Sequence, residues 1–294
     1  MGIQYDFTFV ENAIDFLKTG DETFLSIIAA SDAAAHIYNH ARQFNYPVPT
    51  GLTLELVTHL ITPISKHKEK LPQVTRNLNY IKNHMDNISE NIALQFLPKG
   101  FAFSGTIFYT FGYDIGVGFG ANCSLNVAHA IFSDNPNELK YWAIHEMHHT
   151  GFITLKDGQM LSLENITTRA DMAHFIAYAT HLEGMATYAP LAIRKQEHAM
   201  DTHHDYIALN DSLRMPDLVK EYFDIYHYFA DAPDEALVQT DWHKINILSD
   251  EKRLWYIVGA HMAQTIDERL GRDALTALIR EPSVAYINTY RRLP

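Results

Sequence analysis

Residues 104–128 differ from the rest of the chain. The stretch SGTIFYTFGYDIGVGFGANCSLNVA is rich in Thr, Ile, Phe, Tyr, Val and Gly, residues that suit a pleated, half-buried surface. Its two runs, about 105–112 and 116–128, flank Tyr113-Asp114 and predict antiparallel ribbons of a small sheet. On either side the apolar residues recur with helical period. The first ~97 residues read as short amphipathic helices. One follows a Ser31 cap, one spans about Pro72 to Met85, and one runs through SENIALQFL and stops at Pro98. Helices return from Asn135 and persist to the last residues. The expected fold is therefore α+β and mainly helical, with one small antiparallel sheet. A helical N-terminal region, 1–97, precedes a larger domain, 98–294. Gly116, Gly118 and Gly120 alternate within GVGFG. A phosphate loop would lead into a helix. Strand-like residues follow instead, so the glycines predict a bulge or a close backbone approach.

The most chemically informative segment is SDNPNELKYWAIHEMHHTGF. Asn135 can cap a helix, Pro136 fits its first position, Glu138 completes a capping pattern, and Gly151 marks the expected end. The predicted helix, 136–150, contains His145-Glu146-Met147-His148-His149, which fits H-E-x-x-H. His145 and His149 stand one turn apart on one face, a spacing at which two imidazoles can hold one zinc ion. Glu146 is placed to reach a metal-bound water rather than the metal. His148 points about 100° away from that face, which suggests a supporting or surface role.

A hydrolytic zinc site needs a third protein ligand and one open position. Position 155 is Leu, so a third histidine six residues after the second is absent. The next helix, TRADMAHFIAYATHLEGMATYAPL, can be capped by Thr168 and Asp171, and Pro190 ends it. It carries Glu183, whose burial on an apolar helix would require a charged partner such as zinc. Gly184 beside it suggests close packing on the zinc helix. Glu183 is the preferred third ligand. His174, His181, Asp171 and Glu164 are the rivals. A later segment, SDEKRLWYIVGAHMAQTIDERLG, is expected to start at Ser249 and end at Gly271. Tyr256 within it, or Tyr188, can donate a hydrogen bond to an oxyanion, with His261 behind them.

H-E-x-x-H followed by Glu-Gly-x-Ala-x-Tyr resembles the gluzincin metallopeptidases. It is similar in particular to uncharacterised bacterial families described as zinc-dependent peptidases. The strands of 104–128 and the Tyr256-Ile257-Val258-Gly259 pattern extend the resemblance over roughly residues 98–294. The resemblance implies a zincin-like fold and one zinc ion held by His145, His149 and Glu183. It also implies that Glu146 activates the zinc-bound water to hydrolyse a peptide or protein substrate. In zincin folds an edge strand pairs with the extended substrate. The 33 residues between His149 and Glu183 exceed the thermolysin-like spacing, and the Asn-Glu-x-x-x-Asp and Gly-x-Met-Glu-Asn motifs are missing, so the subfamily stays open. A di-iron oxidoreductase is an alternative reading: Glu146-x-x-His149 with the echo Asp171-x-x-His174. A non-catalytic zincin scaffold is another, though it would have no need of Glu146.

Composition bounds the rest. At 47% hydrophobic and 20% charged the chain can bury a full core, which excludes a disordered protein. The single cysteine, Cys123, excludes an internal disulfide and a cysteine-built zinc site. It reads as a small buried hydrophobe. No apolar stretch approaches ~18 residues, so no membrane span is expected. The first residues show no signal-peptide pattern, which makes the cytoplasm the default location. The net charge is −12, divided as −2 over residues 1–99 and −10 over 100–294. No basic cluster suits nucleic acid. Of the other motifs, EHAMDTHHD (197–205) reads as a solvated loop and EYFDIYHYF (221–229) as helix core.

Overall fold

The computed structural model describes residues 2–49, 51–65, 68–84, 88–101, 104–156 and 165–293. The chain is α+β and mainly helical, with one four-stranded sheet. It clusters into two compact units. One comprises 1–92 with 102–153, and the other comprises 93–101 with 154–294. No helix among the described residues is long and apolar enough to cross a membrane.

The strands are β1 (Ile3–Asp6), β2 (Gly105–Thr110), β3 (Gly116–Phe119) and β4 (Asn122–Asn126), in the order β1-β2-β4-β3. The sheet is mixed, which corrects the antiparallel expectation. β1 pairs parallel with β2 and β2 with β4, while only β3 and β4 run antiparallel. The run 105–112 does not pair with the strand that follows it: the chain forms β3 at the far edge and turns back into β4, which enters beside β2 and so runs parallel to it, while the remote β1, which no local pattern announced, adds a second parallel pair. Strand β1 reaches β2 across a chain of helices, and parallel pairing requires such a crossover. Ile107, Phe108, Tyr109 and Thr110 are all buried, as expected of a strand covered on both faces. The expected run 116–128 breaks at Gly120, which takes φ +61° to turn the β3–β4 hairpin, leaving β3 at the sheet edge.

The helices before the sheet are α1 (Thr8–Thr19), α2 (Thr23–Ala29), α3 (Asp32–Gln43), α4 (Thr53–Ser65), α5 (Leu71–His84) and α6 (Ile88–Leu94). Ser31 caps α3, its hydroxyl accepting from the Ala34 amide at 3.2 Å. Helix α5 corresponds to the one expected over 72–85, of which Met85 lies outside the described residues. From α5, the buried Asn77 amide donates to the Val127 and Phe132 carbonyls at 2.9 and 3.3 Å, tying that helix to the segment after β4.

Helix α7 (Asn137–Leu155) carries H-E-x-x-H. The Asn135 side chain accepts from the Asn137 amide at 3.1 Å, as its capping role requires. The helix does not stop at Gly151: it continues a further turn to Leu155. Gly151 is buried and Phe152 is fully so. Packing there outweighs glycine's weak preference for a helix end.

The second unit is helical: α8 (Arg169–Tyr188), α9 (Leu191–Gln196), α10 (His204–Asn210), α11 (Met215–Ala230), α12 (Asp241–Asn246), α13 (Leu254–Leu270), α14 (Arg272–Ala277) and α15 (Ser283–Arg291). Thr168 and Asp171 form a full capping box on α8. The aromatic run 221–229 is helix core: Tyr222, Ile225, Tyr226 and Phe229 of α11 are buried. Gly184 faces α13 and not, as expected, the zinc helix. A Cβ built on it would lie 2.5 Å from the Cα and C of Gly259. The two glycines form the crossing point of α8 and α13, and backbones meet there because neither carries a side chain. Helix α13 does not start at a Ser249 cap. Ser249 lies in a π-turn, Ile247–Glu251, and its hydroxyl donates to Asp250 at 2.7 Å. The residue that begins α13 is Arg253, at φ +51° and ψ +41°. Gly271 ends the helix as expected.

Candidate metal centre

Within the first unit, His145, Glu146 and His149 are buried, and one ligand atom of each lies within 4.8 Å of the others. The i,i+4 spacing brings the two imidazoles together at 4.5 Å between ring centroids, with planes at 86°. The Trp142 ring stands 5.4 Å from His145. Two imidazoles so placed can hold a zinc ion, with the Glu146 carboxylate beside them.

Edge strand β3 lies against this cluster. Gly116 and Gly118 are two residues apart and so share one face of the strand. A Cβ on Gly116 would sit 2.7 Å from Glu146 Oε1, and one on Gly118 would sit 3.0 Å from His149 Cβ. This is the close backbone approach expected of the alternating glycines. The strand offers bare backbone where any other residue would press on the carboxylate. The residues thus fit a metal ion with a carboxylate beside it.

The turn that feeds β3 is tightly fixed. Tyr113 takes φ +76°, costly for a bulky residue. Its hydroxyl bonds His40 Nδ1 at 2.7 Å, and Tyr46 donates to Asp114 Oδ2 at 2.8 Å. Burial pushes His36 and His40 down to about 4, so both rings are neutral donors or acceptors at neutral pH. Cys123 lies in β4, and burial, then the Glu146 carboxylate, push its thiol well above its usual range, leaving it a buried hydrophobe as expected. His148 is fully buried, with its ring 6.1 Å from Phe152, which removes the surface alternative.

The second unit holds the other predicted residues. Glu183 on α8 and Tyr256 on α13 are electrostatic neighbours. Burial, then the Glu183 charge, raise the Tyr256 phenol well above its ordinary value. Among the rivals of Glu183, His174 is exposed. His181 is fully buried, with Nδ1 3.3 Å from Ser283 Oγ and its ring stacked on Tyr286 at 4.3 Å. Asp171 gives its carboxylate to the capping box. The Asp171-x-x-His174 echo of a di-iron motif therefore has one residue spent on a cap and the other at the surface. Glu164 lies outside the described residues. Tyr188, the alternative oxyanion donor, gives its hydroxyl to Asp267 at 2.7 Å.

Sequence reasoning missed Arg253 and misplaced Asp205. The stretch 197–205 is not simply a solvated loop. His204 is exposed, but His203 and Asp205 are buried, and the Asp205 carboxylate receives Arg253 Nε at 2.9 and 3.2 Å and Nη2 at 3.0 Å. Burial raises the Asp205 pKa. The His204 hydrogen bond and the Arg253 charge outweigh that and hold it at about 2. Arg253 in turn lies 3.7 Å above the Tyr256 ring centre. The only hint in the sequence was His-His-Asp itself, because a partner 48 positions away has no local signature.

No curated protein and no solved structure matches the chain. A family model described as "putative zinc dependent peptidase (DUF5700)" matches residues 28–293, a span that includes most of the first 97 residues, where no resemblance was legible. With two imidazoles and a carboxylate gathered on α7 beneath a bare edge strand, and nearly the whole chain matched, the protein belongs to this DUF5700 family.

Proposed function

We propose that the chain hydrolyses peptide bonds with one zinc ion, held by His145 and His149 of α7 and by Glu183 of α8. The observation that carries this reading is the buried His145–Glu146–His149 cluster beneath the glycine face of β3. Glu183 is favoured because, among the described rivals, His174 is exposed, Asp171 is used in a helix cap and His181 is bonded to Ser283 and stacked on Tyr286. When bound, the metal polarises the scissile carbonyl and lowers the pKa of water toward ~7. Glu146 takes the proton from the attacking water and returns it to the leaving amine. Tyr256, kept protonated by burial and by Glu183, donates a hydrogen bond to the developing oxyanion. The outer edge of β3 offers backbone groups with which an extended substrate can pair.

Metal analysis tests the ligand set. Wild type should carry one zinc per chain, His149→Ala none, and Glu183→Ala a strongly reduced amount. Full retention in Glu183→Ala would reject that residue and promote His181 or His174. Tyr256→Phe should fold, keep zinc and lose on the order of 10²-fold in kcat, because its hydrogen bond forms mainly in the transition state. Loss in Tyr188→Phe with none in Tyr256→Phe would exchange their roles.

Gly116→Ala is expected to lower kcat/KM by about 10²-fold with the fold intact, since the new methyl displaces the Glu146 carboxylate rather than any backbone. Steady-state kinetics beside far-UV circular dichroism would show it. Undiminished turnover would mean that Glu146 is not held where β3 places it.

A further inference from the structure

Arg253 combines several irregularities that a merely structural cation does not need. A π-turn, Ile247–Glu251, precedes it, and such turns gather at functional sites. Its own backbone is left-handed, φ +51°, which costs free energy in a residue with a side chain and so points to function. Its charge is held within the fold by a buried carboxylate, Asp205. The side chain nevertheless stays 19% exposed, against 4% for Asp205.

A guanidinium has five N–H donors arranged as two forks. Asp205 occupies the side fork, Nε with Nη2. The end fork, Nη1 with the second Nη2 proton, makes no hydrogen bond to any described residue. One face of the group is covered by the Tyr256 ring at 3.7 Å, and the Glu183 charge acts on it from α8. The end fork is therefore held in place by Asp205 on a partly exposed side chain, beside the two residues of this unit assigned to the chemistry.

We infer that the end fork of Arg253 binds a carboxylate of the peptide substrate, either its free C-terminus or an Asp or Glu side chain. Two parallel N–H donors match a planar two-oxygen acceptor, and the bidentate hold of Asp205 fixes the fork before the substrate arrives. The inference rests on the roles proposed for Glu183 and Tyr256, and it narrows the substrate class of that same site.

The test uses the full-length, zinc-loaded protein and one randomised decapeptide library made twice, as free acids and as C-terminal amides. Cleavage products are read by mass spectrometry. A free-acid preference of about tenfold or more, lost in Arg253→Lys, supports a C-terminal carboxylate. Lysine keeps a charge for Asp205 but has no second fork. Enrichment of Asp and Glu near the cut, equal in both libraries and lost in Arg253→Lys, supports a side-chain carboxylate. In either case the loss should fall on KM more than on kcat. Cleavage indifferent to both features, or a preference that survives in Arg253→Lys, overturns the inference while leaving the peptidase reading intact. If wild type cuts neither library, the peptidase reading fails on its own. Calorimetry of N-acetyl-trialanine acid and amide with wild type and Arg253→Lys then decides: tighter acid binding lost in the variant supports the fork, and equal or absent binding overturns it. Should Arg253→Lys not fold, Asp205→Asn with Arg253→Gln removes both charges together and is read in the same way.

Discussion

Glu146→Gln is expected to lower peptide hydrolysis by about 10³-fold while leaving fold and zinc content at wild-type values. The amide preserves the shape of the side chain, so α7 and β3 should keep their packing. What it loses is a lone pair basic enough to take a proton from water, a contribution typically worth 10²–10⁴-fold. Two measurements on one preparation decide it, metal stoichiometry and single-turnover cleavage. If zinc leaves with the substitution, Glu146 is a ligand and not the base. If turnover survives, Glu146 is not the base.

The second large effect is on stability. Gly184→Ala should destabilise the protein by about 2–3 kcal/mol, the upper part of the range for overpacking a well-packed contact. The added methyl meets the Gly259 backbone at 2.5 Å, and backbone cannot swing aside as a side chain does. The axes of α8 and α13 must separate. That separation moves Glu183 away from Tyr256 and Arg253, so activity should fall further than the unfolded fraction explains. Gly259→Ala meets the Gly184 Cα and the Thr180 carbonyl at 2.7 Å and should cost a similar amount. The double variant should lose less than the sum, since one separation accommodates both methyls. Urea denaturation of the three variants measures this. A loss below about 0.5 kcal/mol for Gly184→Ala, the scale of ordinary surface substitutions, would show that the crossing is looser than the structure has it.

Much of the architecture was legible because it is written locally. Ser31, Thr168 with Asp171, and Asn135 each sit within four residues of the amide they satisfy. The i,i+4 histidines of α7 needed only helical geometry to meet, and alternate glycines needed only a strand's period of two to share a face. What escaped depends on distance. Nothing in Ile3–Asp6 states that its partner is 105–108, and nothing in 105–126 states that β4 returns past β3 to lie parallel beside β2. Helix α7 outlasts Gly151 because buried Phe152 holds the next turn, a fact of packing and not of propensity. Gly184 was correctly read as a point of close approach but assigned the wrong partner, because the bare backbone of Gly259 lies on another helix 75 positions away. The Arg253–Asp205 pair was invisible for the same reason.

The parallel pairing of β1 with β2 has a consequence for how the chain comes to be folded. Ile3 and Gly105, the first pair in their register, are separated by about a hundred residues. At translation rates of about 5–20 residues per second, strand β1 waits on the order of five to twenty seconds before its partner exists. During that interval the apolar faces of α1 and α3 have no sheet to cover. Contacts this distant in sequence also form slowly once both ends are available, because loop closure comes before any reward. Strand β1 is therefore the part of the sheet most exposed to competing associations during synthesis. Variants that weaken it should reduce the yield of folded protein more than they reduce the stability of what has folded.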